Sequence, residues 1–390
     1  MLRVLTLSTL YPSALRPTFG VFVERQALGL AGLPDTEVEV VAPLGIPPWP
    51  LSRLPSYAGA AHLPLEENWK AVRTHRPRFP IVPRYGARWN ARWMANALLP
   101  LLHRIRDRFP FDVIDAQYFW PDGPAAMHLA RALEVPFSVV ARGSDIQYWM
   151  KRPEVARQIA EAAYAAGGLL AVSEALRKVM IGYGFPADRI LTHYTGIDRS
   201  IYRIRDRAAE KAKLGVTGPL LATVGALIPG KGQADAIGAA ALIPGATLLL
   251  AGEGPDRPRL EKLIRASDLG DRVRLLGNRS QDEVAALMGA ADVMVLPSRS
   301  EGLANVWVEA LVSGTPVVSP DVGGIREVID RPEAGLIVLA DPAAIAGAVK
   351  AILANPPDPA LVHATADKFN SQAKFARLRA HLARIVEARR

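Results

Sequence analysis

The chain of 390 residues contains no cysteine. That absence removes disulfides, thiol nucleophiles and thiolate metal sites, and it fits a reducing compartment. The seven histidines (His62, His75, His103, His128, His193, His363 and His381) are scattered, with neither an H-E-x-x-H nor any clustered ligand spacing. No metal site is therefore indicated. There is no G-x-S-x-G to suggest a Ser/His/Asp hydrolase. No apolar run approaches the length that spans a bilayer. The segment Met1 to Pro12 lacks a basic stretch and a small-residue cleavage site, so it reads as a buried first strand ending in a turn. A cytoplasmic location is expected. Low-complexity segments and short-period repeats are also missing.

Half the residues are hydrophobic and 22% are charged, which is the composition of sizeable cores. At this length two domains are the default. In the first half, apolar runs at Val4–Leu10, Val38–Ala42, Val113–Ala116, Phe137–Ala141, Leu169–Val172 and Ile190–His193 alternate with helical segments. A charged stretch from Asp198 to Lys213 reads as a linker. The pattern then restarts at Leu220–Val224, Thr247–Ala251, Val273–Leu276, Val293–Leu296, Pro316–Ser319 and Leu336–Leu339. Near-continuous apolar strands separated by helices imply parallel sheets covered on both faces. The expected fold class is α/β, with two doubly wound domains facing across a cleft. Their boundaries fall at 1–205 and 214–368.

The segment Ser300-Glu301-Gly302-Leu303-Ala304-Asn305-Val306-Trp307-Val308-Glu309-Ala310 lies between two of those strands. A helix opening near Leu303 would direct its first free amides at an anion. Glu309 would return to the same face two turns after Gly302, about 10 Å further along. One carboxylate before an anion cradle and one beyond it suit a sugar and a ribose at the two ends of a diphosphate. Solvated acids on a helix are the competing reading, and the neighbouring motifs decide against it.

Pro229-Gly230-Lys231-Gly232 follows the strand ending at Val224-Gly225. Its glycines let backbone approach a ligand, and Lys231 can reach phosphate as a point charge. It is not a Walker loop, because the Ser/Thr and the spacing are missing. Gly252-Glu253-Gly254-Pro255 is a strand-end turn rather than a dinucleotide fingerprint, since Arg257 stands where a third glycine is needed. Arg142-Gly143-Ser144-Asp145 ends a first-domain strand, where parallel sheets place ligands. A cation there needs an anionic partner, whereas Asp145 can simply cap the next helix. Gly20 could present amides at the mouth of the helix carrying Arg25 and Gln26.

Taken in order, these segments resemble the family four retaining glycosyltransferases, which have the GT-B fold. The resemblance runs from Tyr11-Pro12 and Gly20-Val21-Phe22-Val23 through Arg142-Gly143-Ser144-Asp145, Val172-Ser173-Glu174-Ala175 and Thr195-Gly196-Ile197-Asp198. It continues through Val224 to Gly232, Ala251-Gly252-Glu253-Gly254-Pro255, Leu276-Gly277-Asn278 and Leu296-Pro297-Ser298. It closes with Glu301 to Glu309 and Gly314-Thr315-Pro316-Val317-Val318.

The resemblance implies transfer of a sugar from a nucleotide-diphosphate sugar to an acceptor hydroxyl with retention, no cofactor and no bridging metal. Glu301 would contact the donor sugar and Glu309 the ribose. Lys231 and the amides around Gly302, Leu303 and Ala304 would bind the diphosphate beside Gly225, and Gly277-Asn278 would lie by the base. Gly20 would close over the phosphates from the other domain. Glu301, Lys231 and Arg142 are the expected catalytic groups, with Arg142 and Asp145 on the acceptor side. Residues 369–390 would return to the first domain. Two departures stand out: many relatives have Arg at Ala226 and His at Arg142, and the Arg142 guanidinium could replace the charge missing at Ala226.

Between Arg53 and Arg108 eleven Lys/Arg face three acids, with Trp49, Trp69, Trp89 and Trp93 in or beside the segment. Basic residues interleaved with tryptophan suit an anionic membrane surface, a lipid-linked anionic substrate or nucleic acid; a solvated helix face is the competing reading. In Arg84 to Phe109, Trp89, Trp93 and Met94 gather on one helical side with Arg88 and Arg92 adjacent, and Pro100 divides the run. The partners expected are a nucleotide-diphosphate sugar, a glycan or lipid-linked acceptor of polysaccharide assembly, and the inner membrane surface, with no nucleic acid. The alternatives are a sugar-nucleotide epimerase of similar plan and a non-catalytic nucleotide-sugar-binding protein.

Overall fold

In the computed structural model, which describes residues 1–83, 85–369 and 371–389, the apolar runs form two main sheets. In chain order the strands are β1 (Leu2–Leu7), β2 (Thr36–Val41), β3 (Leu44–Ile46), β4 (Glu66–Trp69), β5 (Val72–His75), β6 (Arg78–Pro80), β7 (Val113–Ala116) and β8 (Phe137–Ala141). They continue as β9 (Gly168–Ala171), β10 (Ile190–Thr192), β11 (Leu220–Val224), β12 (Thr247–Ala251), β13 (Val273–Gly277), β14 (Val293–Val295), β15 (Val317–Ser319) and β16 (Gly335–Ile337). The chain divides into two units, Met1–Gly196 with Ser371–Arg390, and Ile197–Asn370.

The first unit holds an eight-stranded sheet in the order β10-β9-β8-β7-β1-β2-β5-β4. Its pairs are parallel apart from β4 with β5. That edge hairpin was not anticipated. Its turn places Lys70 and Ala71 at φ 48° and 70°, and its strand faces alternate too weakly in hydrophobicity to be read in advance. β1 is shorter than the run Val4–Leu10, because Ser8 Oγ accepts from the Leu10 amide at 3.0 Å and turns the chain out of the sheet.

The second unit is a six-stranded, wholly parallel sheet in the order β13-β12-β11-β14-β15-β16. The strand sequence reverses between β11 and β14, and open α/β sheets bind ligands at the carboxyl ends of the strands on either side of such a switch. The first sheet reverses in the same way between β1 and β7.

The stretch read as a linker is folded. Asp206 caps the helix Arg207–Lys213, and Arg199 reaches Asp367 at 2.9 Å. Both belong to the second unit. The helix Ser371–Glu387 packs in the first unit, with Leu378 and Leu382 fully buried and the Phe375 ring lying over Gly29.

The helix Ala87–Arg108 continues through Pro100 and turns Ala91, Met94, Ala95, Leu98, Leu102 and Ile105 to the core. Met94 is fully buried and does not join Trp89 and Trp93. Among the described residues, no helix is long and apolar enough to cross a membrane.

Candidate functional site

In the second unit the loops leaving β11 and β14 are fastened together. Thr223 Oγ1 donates to the Val295 carbonyl at 2.7 Å, and the Arg299 amide donates to the Gly230 carbonyl at 2.9 Å. Gly232 has φ 71°, and a Cβ there would fall 2.1 Å from the Pro297 carbonyl oxygen. Only glycine lets the two backbones come this close. Gly225 (φ 154°) and Gly230 instead face open space, with nothing within 4 Å of where a Cβ would sit. This is where a ligand's polar groups can approach the main chain.

Across that junction Lys231 Nζ lies 2.5 Å from Glu301 Oε1. The two residues most strongly indicated by the motifs therefore meet, although 70 positions separate them. The helix after Glu301 runs Asn305–Val312, so it begins two residues later than expected. Gly302, Leu303 and Ala304 form an extended approach held by the Gly324 amide, which donates to the Gly302 carbonyl at 2.8 Å. No side chain caps this helix. The Leu303 and Ala304 amides have no acceptor among the described residues. Uncapped amides beside Lys231 favour an anion. Glu309 sits on the second turn and is 5% exposed. Gly277 (φ 76°) and exposed Asn278 end β13, and the Gly252 amide donates to the Gly277 carbonyl at 2.9 Å.

The sequence did not single out two buried polar side chains at this junction. Gln233 donates Nε2 to the Ala226 carbonyl at 2.8 Å, while its Oε1 has no partner among the described residues. Ser298 Oγ is likewise without a partner among them. The only hint was their place inside recognised loops.

In the first unit, Gly20 caps the helix Val21–Ala31 with φ 73°, and a Cβ there would lie 2.5 Å from the Leu10 carbonyl oxygen. Arg142 follows β8. Its Nε donates to the Gln117 carbonyl at 3.1 Å, its Nη1 to Thr195 at 3.3 Å, and its Nη2 to Gln26 at 3.2 Å and to Gln117 Oε1. Burial pulls the guanidinium down to about 10, and Asp115 and Asp145 oppose the shift. Burial raises Asp115 to about 7, with Arg142 opposing.

Asp145 is fully buried and accepts the amides of Phe119, Arg142, Gly143 and Ile146. Its carboxylate shapes the loop under Arg142 and leaves no oxygen for an acceptor, which corrects its acceptor-side assignment. A tight turn needed those amides satisfied, and Asp145 supplies both oxygens.

Several cations of the basic segment are paired within the unit, although most keep solvent exposure. Arg76 is fully buried against Glu67, Arg108 meets Glu39, Arg73 meets Glu66 and Lys70 meets Glu24. Arg78 and Arg106 spend their donors on carbonyls. Arg84 lies outside the described residues. Outward, besides exposed Arg53 and Arg104, lie the Trp89–Trp93 stack, with centroids 5.6 Å apart, Arg88 lying 4.0 Å over the Trp89 ring, and exposed Arg92.

The family description "Glycosyltransferase Family 4" matches residues 21–201, and "Glycosyl transferases group 1" matches residues 205–374. The chain belongs to this glycosyltransferase family. It is 28% identical over 361 residues to the putative teichuronic acid biosynthesis glycosyltransferase TuaC of Bacillus subtilis, covering 89% of this chain and 88% of that protein.

Sucrose-phosphate synthase from Thermosynechococcus elongatus superposes with TM-score 0.81 at 20% identity over 100% of both chains. Anabaena HepE in complex with UDP gives 0.74 at 18% identity, over 98% of this chain and 100% of that one. These likenesses establish the GT-B fold, with two Rossmann-like domains. In this glycosyltransferase the group 1 match holds Lys231, Glu301 and Glu309, and the family 4 match holds Arg142 and Asp145. Among the described residues, no group of three or more His, Asp or Glu could hold a metal ion.

Proposed function

We propose that this glycosyltransferase moves a hexosyl unit from a nucleotide-diphosphate sugar to an acceptor hydroxyl with retention at the anomeric carbon. The observation that carries the reading is the Lys231–Glu301 pair beside the uncapped approach to Asn305–Val312. A departing diphosphate gathers negative charge, so fixed positive donors around it lower the barrier most. Lys231 and the Leu303 and Ala304 amides supply them. Donor binding would free Glu301 from Lys231 to hold the sugar hydroxyls, and Glu309 would hold the ribose. Gly277 and Asn278 border the base, and Gly225 lines the phosphates.

The acceptor is a glycan or lipid-linked saccharide of cell-envelope or extracellular polysaccharide assembly. The name of TuaC, which places it in teichuronic acid biosynthesis, supports that class. Solved HepE complexes with UDP and with UDP-glucose support a nucleotide-sugar donor. The enzyme would work in the cytoplasm without a bridging metal, docking on the inner membrane face through Arg88, Trp89, Arg92 and Trp93.

The test is incubation with a panel of nucleotide sugars and a mixed lipid-linked acceptor fraction. The readouts are nucleoside diphosphate release, in the presence and absence of a chelator, and the anomeric configuration of the product. Acceptor-dependent release with retained configuration is expected. Release with inversion, or conversion of the nucleotide sugar without any acceptor, would overturn the reading.

A further inference from the structure

Within reach of the Arg142 charge, the first unit buries a lysine that meets no counter-ion among the described residues. Lys374, on the helix Ser371–Glu387, is 7% exposed, and its Nζ has no hydrogen-bond partner among the described residues. A buried ammonium without an acceptor is costly unless something neutralises it. Packing fixes where it sits. Its neighbour Phe375 lies over Gly29 of the helix Val21–Ala31. Arg25 is one turn earlier on that same face, and Gln26, beside Arg25, is the residue that binds Arg142 Nη2 at 3.2 Å.

The charged groups acting on Lys374 are Arg142 and Arg25, both cations. Those acting on buried His193 are Lys374, Arg142, His381 and Arg377, all bases. Asp145 is spent on four amides. Asp115 gives its Oδ2 to Gln26 and Gln117, while its buried Oδ1 has no hydrogen-bond partner among the described residues. Arg142 uses four of its five N–H groups on Gln117, Thr195 and Gln26, which leaves one on Nη1. Arg142 and Arg25 are half-buried, whereas Lys374 Nζ is closed off from solvent.

We propose that Lys374, Arg142 and Arg25 form a binding site for an oxyanion, a phosphate or a carboxylate carried by a substrate. The inference rests on the glycosyltransferase reading for the identity of that substrate, but not for the site itself. An oxyanion at the Arg142 rim would accept from Lys374 Nζ and from the remaining Nη1 hydrogen, giving the buried ammonium the acceptor it lacks.

The test uses the full chain with Lys231→Ala, which removes the phosphate contact in the other unit, and inorganic phosphate as the probe. Thermal melting should rise saturably with phosphate in Lys231→Ala. In Lys231→Ala/Lys374→Met the apparent affinity should fall by roughly ten- to a hundredfold, the range of a charge-assisted hydrogen bond. Equal responses in the two variants would overturn the site. If the Met variant fails to fold, tungstate soaked into wild-type crystals decides. Density joining Arg25, Arg142 and Lys374 supports the site, and none there overturns it.

Acetate in place of phosphate separates a carboxylate from a phosphate ligand. Saturating UDP that displaces phosphate in Lys231→Ala assigns the oxyanion to the donor, and additive binding assigns it to the acceptor. Loss of sugar transfer with the phosphate response intact would count against the enzymatic reading alone.

Discussion

Lys231 Nζ and Glu301 Oε1 lie 2.5 Å apart, joining the loop after β11 to the loop after β14. The pair is partly exposed, with side-chain accessibilities of 25% and 10%. With Glu301 only 10% exposed, removing one partner leaves the other charge poorly compensated and lowers stability.

Lys231→Ala should lower the melting temperature and, separately, lower kcat/KM by roughly 10²–10³, as removal of a donor to developing negative charge does. Steady-state kinetics beside thermal melting separates the two effects. A variant that turned over within about threefold of the wild type would remove Lys231 from the mechanism.

Two glycines in one loop should behave oppositely. Gly232→Ala must place a methyl 2.1 Å from the Pro297 carbonyl oxygen at φ 71°, so it should cost upwards of ~2 kcal/mol in chemical denaturation. Gly230→Ala meets nothing within 4 Å and should melt with the wild type. Its methyl fills space where a ligand's phosphate would approach the backbone, so its donor KM should rise. Equal stability of the two variants would contradict the fastening of the β11 and β14 loops.

Much of this was legible in the residues, and the failures share a cause. Strands β7, β8, β11 and β12 match their apolar runs because burial on both faces leaves an uninterrupted signal. Lys231 and Glu301 stood out in the sequence because loop glycines and acids at strand ends have few other uses, and the fold brings the two side chains together. Charge counting failed for Arg108 and Arg76, whose partners Glu39 and Glu67 neutralise them only once the sheet forms. The burial of Lys374 was invisible for the same reason: the helix Ser371–Glu387 has an ordinary amphipathic pattern, and only its docking on Val21–Ala31 takes the ammonium out of water. The late start of Asn305–Val312 follows from contacts of Gly302 with Gly324, which lie beyond any local motif.

The outward pair Trp89 and Trp93 offers a sharp measurement. Trp89→Ala removes both the 5.6 Å stack and the surface under Arg88. Sedimentation with anionic vesicles should weaken for Trp89→Ala/Trp93→Ala. Arg88→Gln and Arg92→Gln should each cost about fivefold, corresponding to about 1 kcal/mol per cation near a charged surface. Both Arg effects should vanish at high salt. Equal binding of all four proteins to anionic and neutral vesicles would end the membrane reading while leaving catalysis untouched.

The last prediction concerns pH. Burial, with Arg142 and Arg25 acting in the same direction, pulls Lys374 from 10.5 down to about 7 in the folded protein. Below pH 7 the amine is charged in both states, and the penalty for burying it is fully present. Between about 7 and 10.5 the unfolded chain keeps a proton that the native state has released, so stability rises with pH across this window. Above it the amine is neutral in both states. Asp115 and the other nearby groups titrate in the wild type and in Lys374→Met alike, so the difference between the two proteins isolates the lysine. That difference should favour the variant most at about pH 6 and shrink steadily toward about pH 10. Phosphate should flatten the slope in the wild type, because a bound oxyanion holds Lys374 charged. A difference independent of pH, with or without phosphate, would mean that the Lys374 amine finds another partner in solution.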